Sequence, residues 1–328
     1  MAEEKAVSLI SIAESQQIPP KEFDKQYKDQ LSGYHEWDQK SHADEWLLFP
    51  DNIGERLSID ETAVSNGDLH TFITNKSAHG KKKALVAMAT GTKAEAMNKV
   101  LSTIPRIIRN TVKEVTLDMS NSMEAIIRFA FPYALIVIDR FHVQQLVSEA
   151  VQEIRLVLRR DALKEENEIL KKCRQEKIKY TPVVFENGDT KKQLLGRSFH
   201  LLFKSKSKWT KSQKERAKVL FREFPEIKKA YDLSMLLRGC YETSHSIPEA
   251  KKAFDKWYTK VEEKQIEQFF VVADTIRLHE TTILNYFTNR STNASAESFN
   301  AKLKGFRTVV RGVRDKKFFF FRVAKLFG

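Results

Sequence analysis

The sequence contains little cysteine, glycine or proline and has no long apolar run. Its 328 residues include 2 cysteines, 11 glycines and 8 prolines. Two cysteines, Cys173 and Cys240, are too few for a disulfide scaffold or a four-cysteine zinc site, which indicates a reducing compartment. The low glycine and proline content, with 41% hydrophobic residues, excludes a disordered chain. No apolar run approaches the ~18 residues that span a membrane, and the first residues do not form a signal peptide.

Positive charge is what the chain has in excess. It has 56 Lys and Arg against 43 Asp and Glu, a formal net charge of +13. Such a surplus on a globular protein points to a polyanion as partner, most often nucleic acid. Of the 8 histidines, only His142 stands in a spacing that suggests a site. We therefore expect a cytoplasmic globular protein that faces nucleic acid and has no membrane partner.

The hydrophobic pattern predicts a sheet followed by a helical region. The first 48 residues are polar and predicted to be mostly helical, and "FPDNIGE" marks a break. Leu57 and Ile59 alternate with polar residues, which predicts a strand, and "SNGD" predicts a hairpin turn into the strand "LHTFITN". Further strands are predicted at "KKKALVAMAT", "VKEVTLD" and "ALIVID", with a helix from Lys93 to Ile108 and a short helix between them. From His142 to about Phe287 nearly every segment is predicted to be helical.

The order β-β-β-α-β-α-β is typical of a ribonuclease H-like fold. The prediction is therefore α/β: a mixed five-stranded sheet with flanking helices, interrupted by a large all-α insertion. Four segments follow from it: a short helical segment at 1–50, the first part of the ribonuclease H-like core at 51–141, an all-helical insertion domain at 142–288, and the C-terminal helices of the core at 289–328.

Acidic residues lie on the polar face of one predicted strand and at the ends of two others. Asp60 lies on the first strand, Asp118 ends the fourth strand beside it, and Asp139 ends the fifth. Charged groups at such positions must be solvated, paired or bound to a metal. Each aspartate alone is as often an ordinary strand-end acid, but the combination is much less expected by chance. Two carboxylates on adjacent strands and a third from elsewhere would suit a pair of Mg²⁺ ions at a phosphodiester.

The third carboxylate is expected from "STNASAESFNAKLKG", residues 291–305. This stretch predicts a helix with Glu297 in its first turn, and Asn300 and Lys304 fall on the same helix face as Glu297. An alternative stays open at this point. An acid in a first turn also complements the helix dipole, with Thr292 or Asn293 as the cap.

Four motifs in this order resemble the DDE transposases of bacterial insertion sequences. They are "LSIDET", "VTLDMSNSM", "IVIDRFHV" and "STNASAESFNAKLKGFR". The resemblance is to the branch whose nuclease fold is split by a long helical insertion before the glutamate. It implies that Asp60, Asp118 and Glu297 are the catalytic residues and hold two Mg²⁺ ions, with Mn²⁺ able to substitute.

The same resemblance implies roles for neighbouring residues. "DRFH" matches the [Cys/Asp]-x-x-His motif of insertion-bearing relatives, so Asp139 and His142 would support the metal ligands or contact nucleic acid near the scissile phosphate. Asn300 and Lys304 would face the DNA backbone beside the site. The cations that follow the glutamate are candidate DNA contacts: Lys302, Lys304, Arg307, Arg311 and Arg314.

The activity implied is metal-dependent strand cleavage at the ends of an insertion sequence and strand transfer into target DNA. The resemblance also implies a homo-oligomer on DNA in the bacterial cytoplasm, associated with the nucleoid when bound. The alternatives are an inactive DNA-binding descendant and another ribonuclease H-like nuclease. Only about 50 residues precede the sheet, without a Cys/His cluster, so we expect a separate small DNA-binding protein to read the ends. The competing expectation is that Ser8 to Tyr34 forms a compact helical reader.

Several aromatic residues invite a role in base stacking, which relatives assign to an aromatic of the insertion. Trp209 and Trp257 lie in the predicted insertion, and Phe318 to Phe321 form a run near the end. Large aromatics at helical spacing are more often core residues. We therefore expect all of them to pack inside the protein.

Overall fold

The computed structural model describes residues 4–65 and 67–328. The chain divides into two compact units. The first contains the described residues up to Asp139 together with Asn289–Gly328, and the second is Arg140–Thr288. Within the described ranges, no helix is long and apolar enough to cross a membrane.

The first unit is built on a six-stranded mixed sheet. Its strands are β1 Trp46–Leu48, β2 Arg56–Ser65, β3 Asp68–Asn75, β4 Leu85–Thr90, β5 Glu114–Leu117 and β6 Leu135–Ile138. Their order is β1-β4-β3-β2-β5-β6. The strands β1, β4, β3 and β2 are antiparallel neighbours, whereas β2, β5 and β6 are parallel. The predicted fold class is confirmed.

The sheet has one strand more than the sequence predicted, and its hairpin is as expected. The extra strand β1 comes from a segment expected to be helical, and it pairs with the outer edge of β4. In the β2–β3 hairpin Ser65 pairs with Asp68, as expected for the "SNGD" turn. Asn66, the second residue of that turn, lies outside the described residues.

Sixteen helices lie in the described part of the chain. In chain order they are α1 Leu9–Ser15, α2 Pro20–Gln26, α3 Ala94–Ser102, α4 Arg106–Arg109, α5 Asn121–Ala130, α6 Arg140–Gln175, α7 Lys191–Arg197, α8 Phe199–Leu202, α9 Lys211–Glu223, α10 Pro225–Thr243, α11 Ile247–Lys264, α12 Glu267–Leu278, α13 Glu280–Leu284, α14 Tyr286–Asn289, α15 Ala294–Val309 and α16 Lys316–Phe327. The single helix expected from Lys93 to Ile108 is wrong. It is broken at Pro105, because proline lacks the N–H that would continue the helical hydrogen bonds.

The last two helices pack against the sheet and close its core. One cluster with Phe72 on β3 contains Phe299, Leu303 and Phe306 of α15 and Phe319, Phe320 and Phe327 of α16. Burying one such side chain contributes about 1.5–3 kcal/mol. In the run from Phe318 to Phe321, the last three residues are buried. Phe318 contacts the rings of Tyr27 and Tyr34, so the expected core packing of this run is confirmed.

The secondary structure of the second unit consists of helices joined by loops, apart from one isolated β-bridge. Its longest helix, α6, has 36 residues. Trp257 is fully buried, and its ring N–H donates to the carbonyl oxygen of Leu233 at 3.0 Å. The ring N–H of Trp209 donates to the carbonyl oxygen of Leu201 at 2.8 Å. Both tryptophans are therefore packed within the unit, as expected.

Candidate active site

Three predicted aspartates form a row across the parallel part of the sheet. The register pairs Ser58 of β2 with Thr116 of β5, and Thr116 with Val137 of β6. Continuing each strand by two residues places Asp60, Asp118 and Asp139 side by side, on the same face as the paired residues. Neighbouring strands lie about 4.8 Å apart, so adjacent carboxylates of this row are within reach of a shared ligand.

Asn293, directly before α15, links two of these aspartates. Its side-chain NH₂ donates to Oδ1 of Asp118 at 3.4 Å, and its backbone N–H donates to Oδ2 of Asp139 at 2.9 Å. Asn293 and Asp139 are both almost completely buried. Sequence reasoning treated Asn293 only as a helix cap. The residue does stand at the cap position, but its side chain makes no capping bond and reaches the strand ends instead.

Asn300, two turns into α15, contacts the remaining aspartate. Its NH₂ group donates to Oδ2 of Asp60 at 2.6 Å. Asn300 is 6% exposed. The predicted contact between Asn300 and the DNA backbone stays a prediction. What the structure adds is that both asparagines flanking Glu297 are hydrogen-bonded to aspartates of the row.

Glu297 lies in the first turn of α15, between the two asparagines, and is exposed. Its helix is placed by buried apolar residues and by a close approach at Gly80. A Cβ at Gly80 would lie 3.1 Å from the backbone nitrogen of Phe299. Gly80 has φ +65°, a region that favours glycine. The loop after β3 can therefore contact α15 directly.

A divalent metal fits the chemistry of this row, although the carboxylates are not drawn into one cluster. Nowhere in residues 4–65 and 67–328 do three His, Cys, Asp or Glu side chains lie close enough to form a complete metal site. Adjacent carboxylates such as Asp60 and Asp118 are the oxygen ligands that Mg²⁺ prefers, and Mg²⁺ takes few ligands from protein. A carboxylate has about four lone-pair positions, so one that accepts hydrogen bonds, as Asp60 does from Asn300 and from the backbone N–H of Glu61, can also bind a metal.

A buried ion pair lies on the same face of the sheet, at the start of β5. Glu114 is 2% exposed and lies 3.5 Å from Nζ of Lys76. Its carboxylate accepts hydrogen bonds from the amide of Asn289, at 2.9 Å, and from the hydroxyl of Ser291. Lys76 also donates to the hydroxyl of Thr116 at 2.7 Å. The group thereby ties the chain segment that leads into α15 to β5.

The pKa values in this group follow from burial and from the bonds. Burial raises the pKa of Glu114, but the hydrogen bonds from Ser291 and Asn289 and the charge of Lys76 outweigh it, so the pKa lies below its ordinary value. Burial lowers the pKa of Lys76, and the charge of Glu114 opposes that effect. Sequence reasoning missed this pair because neither residue belongs to a recognisable motif.

Glu61 is a further acid that the sequence reasoning missed. It follows Asp60 directly and is half-buried. Burial raises its pKa, and the negative charge of Asp118 raises it further. The signal was available in "LSIDET", where two acids adjoin.

The cations predicted to contact DNA fall into two groups. Lys304, Arg311 and Arg314 are exposed. Lys302 donates to the carbonyl oxygen of Gly80 at 2.8 Å, and Arg307 donates to that of Val64 at 3.1 Å. These two side chains therefore help to attach α15 to the first unit, whatever else they contact.

His142 lies in the first turn of α6, in the second unit. It is half-buried, and its ring centroid lies 5.5 Å from that of Phe141, which is 59% exposed. Its predicted role near the scissile phosphate stays a prediction.

Comparison with known protein families gives a match over most of the chain. A family described as Transposase, the DDE transposases of the ISL3 type, matches residues 57–323. No curated protein and no solved structure is detectably similar to the chain. The matched range contains every acid of the predicted site and extends from β2 into α16. Proteins of this family process DNA and generally use divalent metals. The chain belongs to the DDE transposase family of insertion sequences.

Proposed function

We propose that the chain catalyses strand cleavage at the ends of an insertion sequence and transfers the resulting strand into target DNA. The observation that carries the proposal is the row of Asp60, Asp118 and Asp139 on three adjacent parallel strands, with the helix of Glu297 hydrogen-bonded to that row. Both steps are in-line attacks on a phosphodiester, first by water and then by a 3′-hydroxyl.

Asp60, Asp118 and Glu297 are the proposed metal ligands. Bound there, two Mg²⁺ ions would activate the attacking oxygen and stabilise the leaving one. Asp60 and Asp118 come from adjacent strands of a rigid sheet, so their separation is set by the strand spacing. Glu297 is exposed at the start of α15, where a change of rotamer can move its carboxylate. Asp139 holds the backbone of Asn293 and so supports the start of that helix.

DNA is the proposed substrate on both sides of the reaction. The net charge of +13 favours a polyanion. Lys304, Arg311 and Arg314 are exposed on α15 and on the loop after it, which supports them as phosphate contacts. We also propose that the active form is a homo-oligomer on DNA, because two element ends must be processed together.

The catalytic assignment is tested by three substitutions that change charge but keep shape. Asp60→Asn, Asp118→Asn and Glu297→Gln should each abolish Mg²⁺-dependent cleavage of a duplex that carries an element end. Asp68→Asn is the matched control, because Asp68 is a partly exposed acid of the same hairpin and pairs with Lys316. Wild-type cleavage by any of the three variants would remove that residue from the site.

A second assay separates a transposase from the two rival functions. Element-end duplexes that are already cut and carry a free 3′-hydroxyl are mixed with a circular target. Joining to the circle indicates a transposase. Cleavage of element ends in the first assay without joining in this one would favour another ribonuclease H-like nuclease. DNA binding with neither activity would favour an inactive descendant.

We further propose that a separate small DNA-binding protein supplies end recognition. Support comes from the segment that could act as a reader. Leu9 and Tyr27 form one cluster with Phe318 of α16, so this segment is packed against α16 within the first unit. Specific binding usually exceeds non-specific binding by ~10³ or more. A titration with the purified chain should give a smaller preference for element ends over random DNA. A preference at or above that value would show that no partner is needed.

A further inference from the structure

We propose that Asn293 and Asn300 are positioning residues for the metal ligands. This inference rests on the proposed function, since it concerns the carboxylates of the same site. Each asparagine places its NH₂ group on one aspartate, at 3.4 Å from Asp118 and 2.6 Å from Asp60. The two bonds join both carboxylates to the start of α15, and Oδ1 of Asp60 also accepts from the backbone N–H of Glu61 at 2.7 Å.

The orientation of each amide follows from its partner. A carboxylate only accepts hydrogen bonds, so the NH₂ group must face it; a reversed amide would place two oxygens against each other. The amide oxygens therefore point away from the aspartates. Both of them, Oδ1 of Asn293 and Oδ1 of Asn300, are buried and have no hydrogen-bond partner. An unsatisfied buried acceptor costs about 1–3 kcal/mol.

Such a cost at two positions, one at the cap of α15 and one within it, indicates a role other than fold stability. An apolar side chain of similar size would fill either position without leaving an unsatisfied acceptor. What an apolar residue cannot do is hold an ionised carboxylate in one rotamer. Hydrogen bonds to a charged group are also the strong ones. The amides of Asn293 and Asn300 thus lie where they can orient the carboxylates of Asp118 and Asp60.

The bonds also couple the glutamate to the aspartates. Glu297 lies between Asn293 and Asn300 on α15. The backbone N–H of Asn293 is bonded to Asp139, which adds the third strand. Any shift of α15 that moved Glu297 away would have to break these bonds. Asn293 and Asn300 therefore set the distance over which Glu297 can join the two aspartates.

The test is metal affinity measured without DNA, so that catalysis does not enter. Mn²⁺ is titrated into the full chain, and free Mn²⁺ is followed by electron paramagnetic resonance. Removing groups that orient metal ligands typically weakens metal binding about 10–100-fold. Asn293→Ala and Asn300→Ala should each raise the Mn²⁺ dissociation constant by about 10-fold or more. Asn293→Ser and Asn300→Ser, which are smaller changes, replace any alanine variant that fails to fold.

Asn289→Ala is the matched control. Asn289 also donates from its amide to a carboxylate, at 2.9 Å, but that carboxylate is Glu114. The control should lower the melting temperature while leaving the Mn²⁺ dissociation constant unchanged. If it weakened Mn²⁺ binding as much as Asn293→Ala and Asn300→Ala do, the effect would be general destabilisation and the proposal would be overturned.

Two aspartate variants separate this proposal from the proposed function. If Asp60→Asn and Asp118→Asn lose Mn²⁺ binding but the asparagine variants keep it, the positioning role is refuted and the catalytic site stands. If the wild-type chain binds no Mn²⁺, or the aspartate variants bind it as well as the wild type does, the proposed metal site fails and the positioning role fails with it.

Discussion

Replacing Glu114 by glutamine should destabilise the first unit more than any exposed charge change does. The substitution keeps the size of the side chain but removes the charge that faces Lys76. It also replaces an acceptor of two hydrogen bonds, from Asn289 and Ser291, by a group with one acceptor oxygen. Both losses act on the segment that leads into α15.

The magnitude follows from burial. Removing one partner of a buried ion pair costs about 3–5 kcal/mol. The side chain of Lys76 is 15% exposed and keeps its bond to Thr116, so some solvation remains. We therefore expect a loss near the lower end, about 3 kcal/mol. Glu55→Gln is the control, because Glu55 pairs with Lys113 at the same end of the sheet but the side chains are 64% and 70% exposed. Such exposed pairs contribute less than about 1 kcal/mol.

The loss should also depend on pH in a defined direction. The pKa of Glu114 is lower in the folded chain than its ordinary value of 4.5. Its stabilising contribution is therefore fully present above that value and is lost as the pH falls through the folded-state pKa. The difference between wild type and Glu114→Gln should be constant near neutral pH and should shrink in acid below about pH 4.5.

Urea unfolding combined with hydrogen exchange of the β5 amides measures the first unit separately from the helical one. A difference of about 3 kcal/mol for Glu114→Gln, against less than about 1 kcal/mol for Glu55→Gln, is the expected result. Equal losses in the two variants would refute the argument that burial makes this pair strong.

Three further predictions concern other parts of the chain. His142→Ala should slow cleavage or strand transfer in a single-turnover assay without abolishing Mn²⁺ binding, because a supporting group orients the metal ligands rather than binding the metal. Loss of Mn²⁺ binding would instead indicate that His142 is a metal ligand. Arg311→Ala and Arg314→Ala should each lower the salt slope of duplex binding by about one unit between ~50 and ~200 mM salt, and an unchanged slope would exclude a phosphate contact. Gly80→Ala should destabilise the first unit by more than Gly91→Ala. Both glycines have positive φ, where an alanine is strained by about 1–3 kcal/mol, but of the two only Gly80 would place its new Cβ 3.1 Å from a backbone atom. Equal melting temperatures of the two variants would contradict this.

The sheet and the position of the acids could be predicted because they leave local patterns. Apolar residues alternate along β2, and in this fold the fourth predicted strand lies beside the first, so Asp60 and Asp118 were expected on adjacent strands. The strand β1 could not be predicted, since three residues at a sheet edge carry too little periodicity. Its pairing with β4 is a tertiary contact.

The hydrogen bonds that hold the site could not be predicted from spacing. Asn293 and Asp118 are 175 residues apart, and so are Glu114 and Asn289. An amide that meets a carboxylate over such a separation leaves no local signal in one sequence. The same residue types at these positions fit a helix cap and a strand end equally well. Only the placement of α15 on the sheet distinguishes these roles.

The division of the first unit into two stretches of chain also has a consequence during synthesis. Phe299, Leu303, Phe306 and the aromatic residues of α16 cover the sheet, yet they follow the whole of Arg140–Thr288. At 5–20 residues per second, about 150 residues take roughly 8–30 s to translate. Throughout that interval the nascent sheet lacks its covering helices, and Glu297 has not been made. Under the proposed function, a chain able to cut DNA would exist only after Glu297 has been translated, and products truncated earlier would carry Asp60 and Asp118 without it.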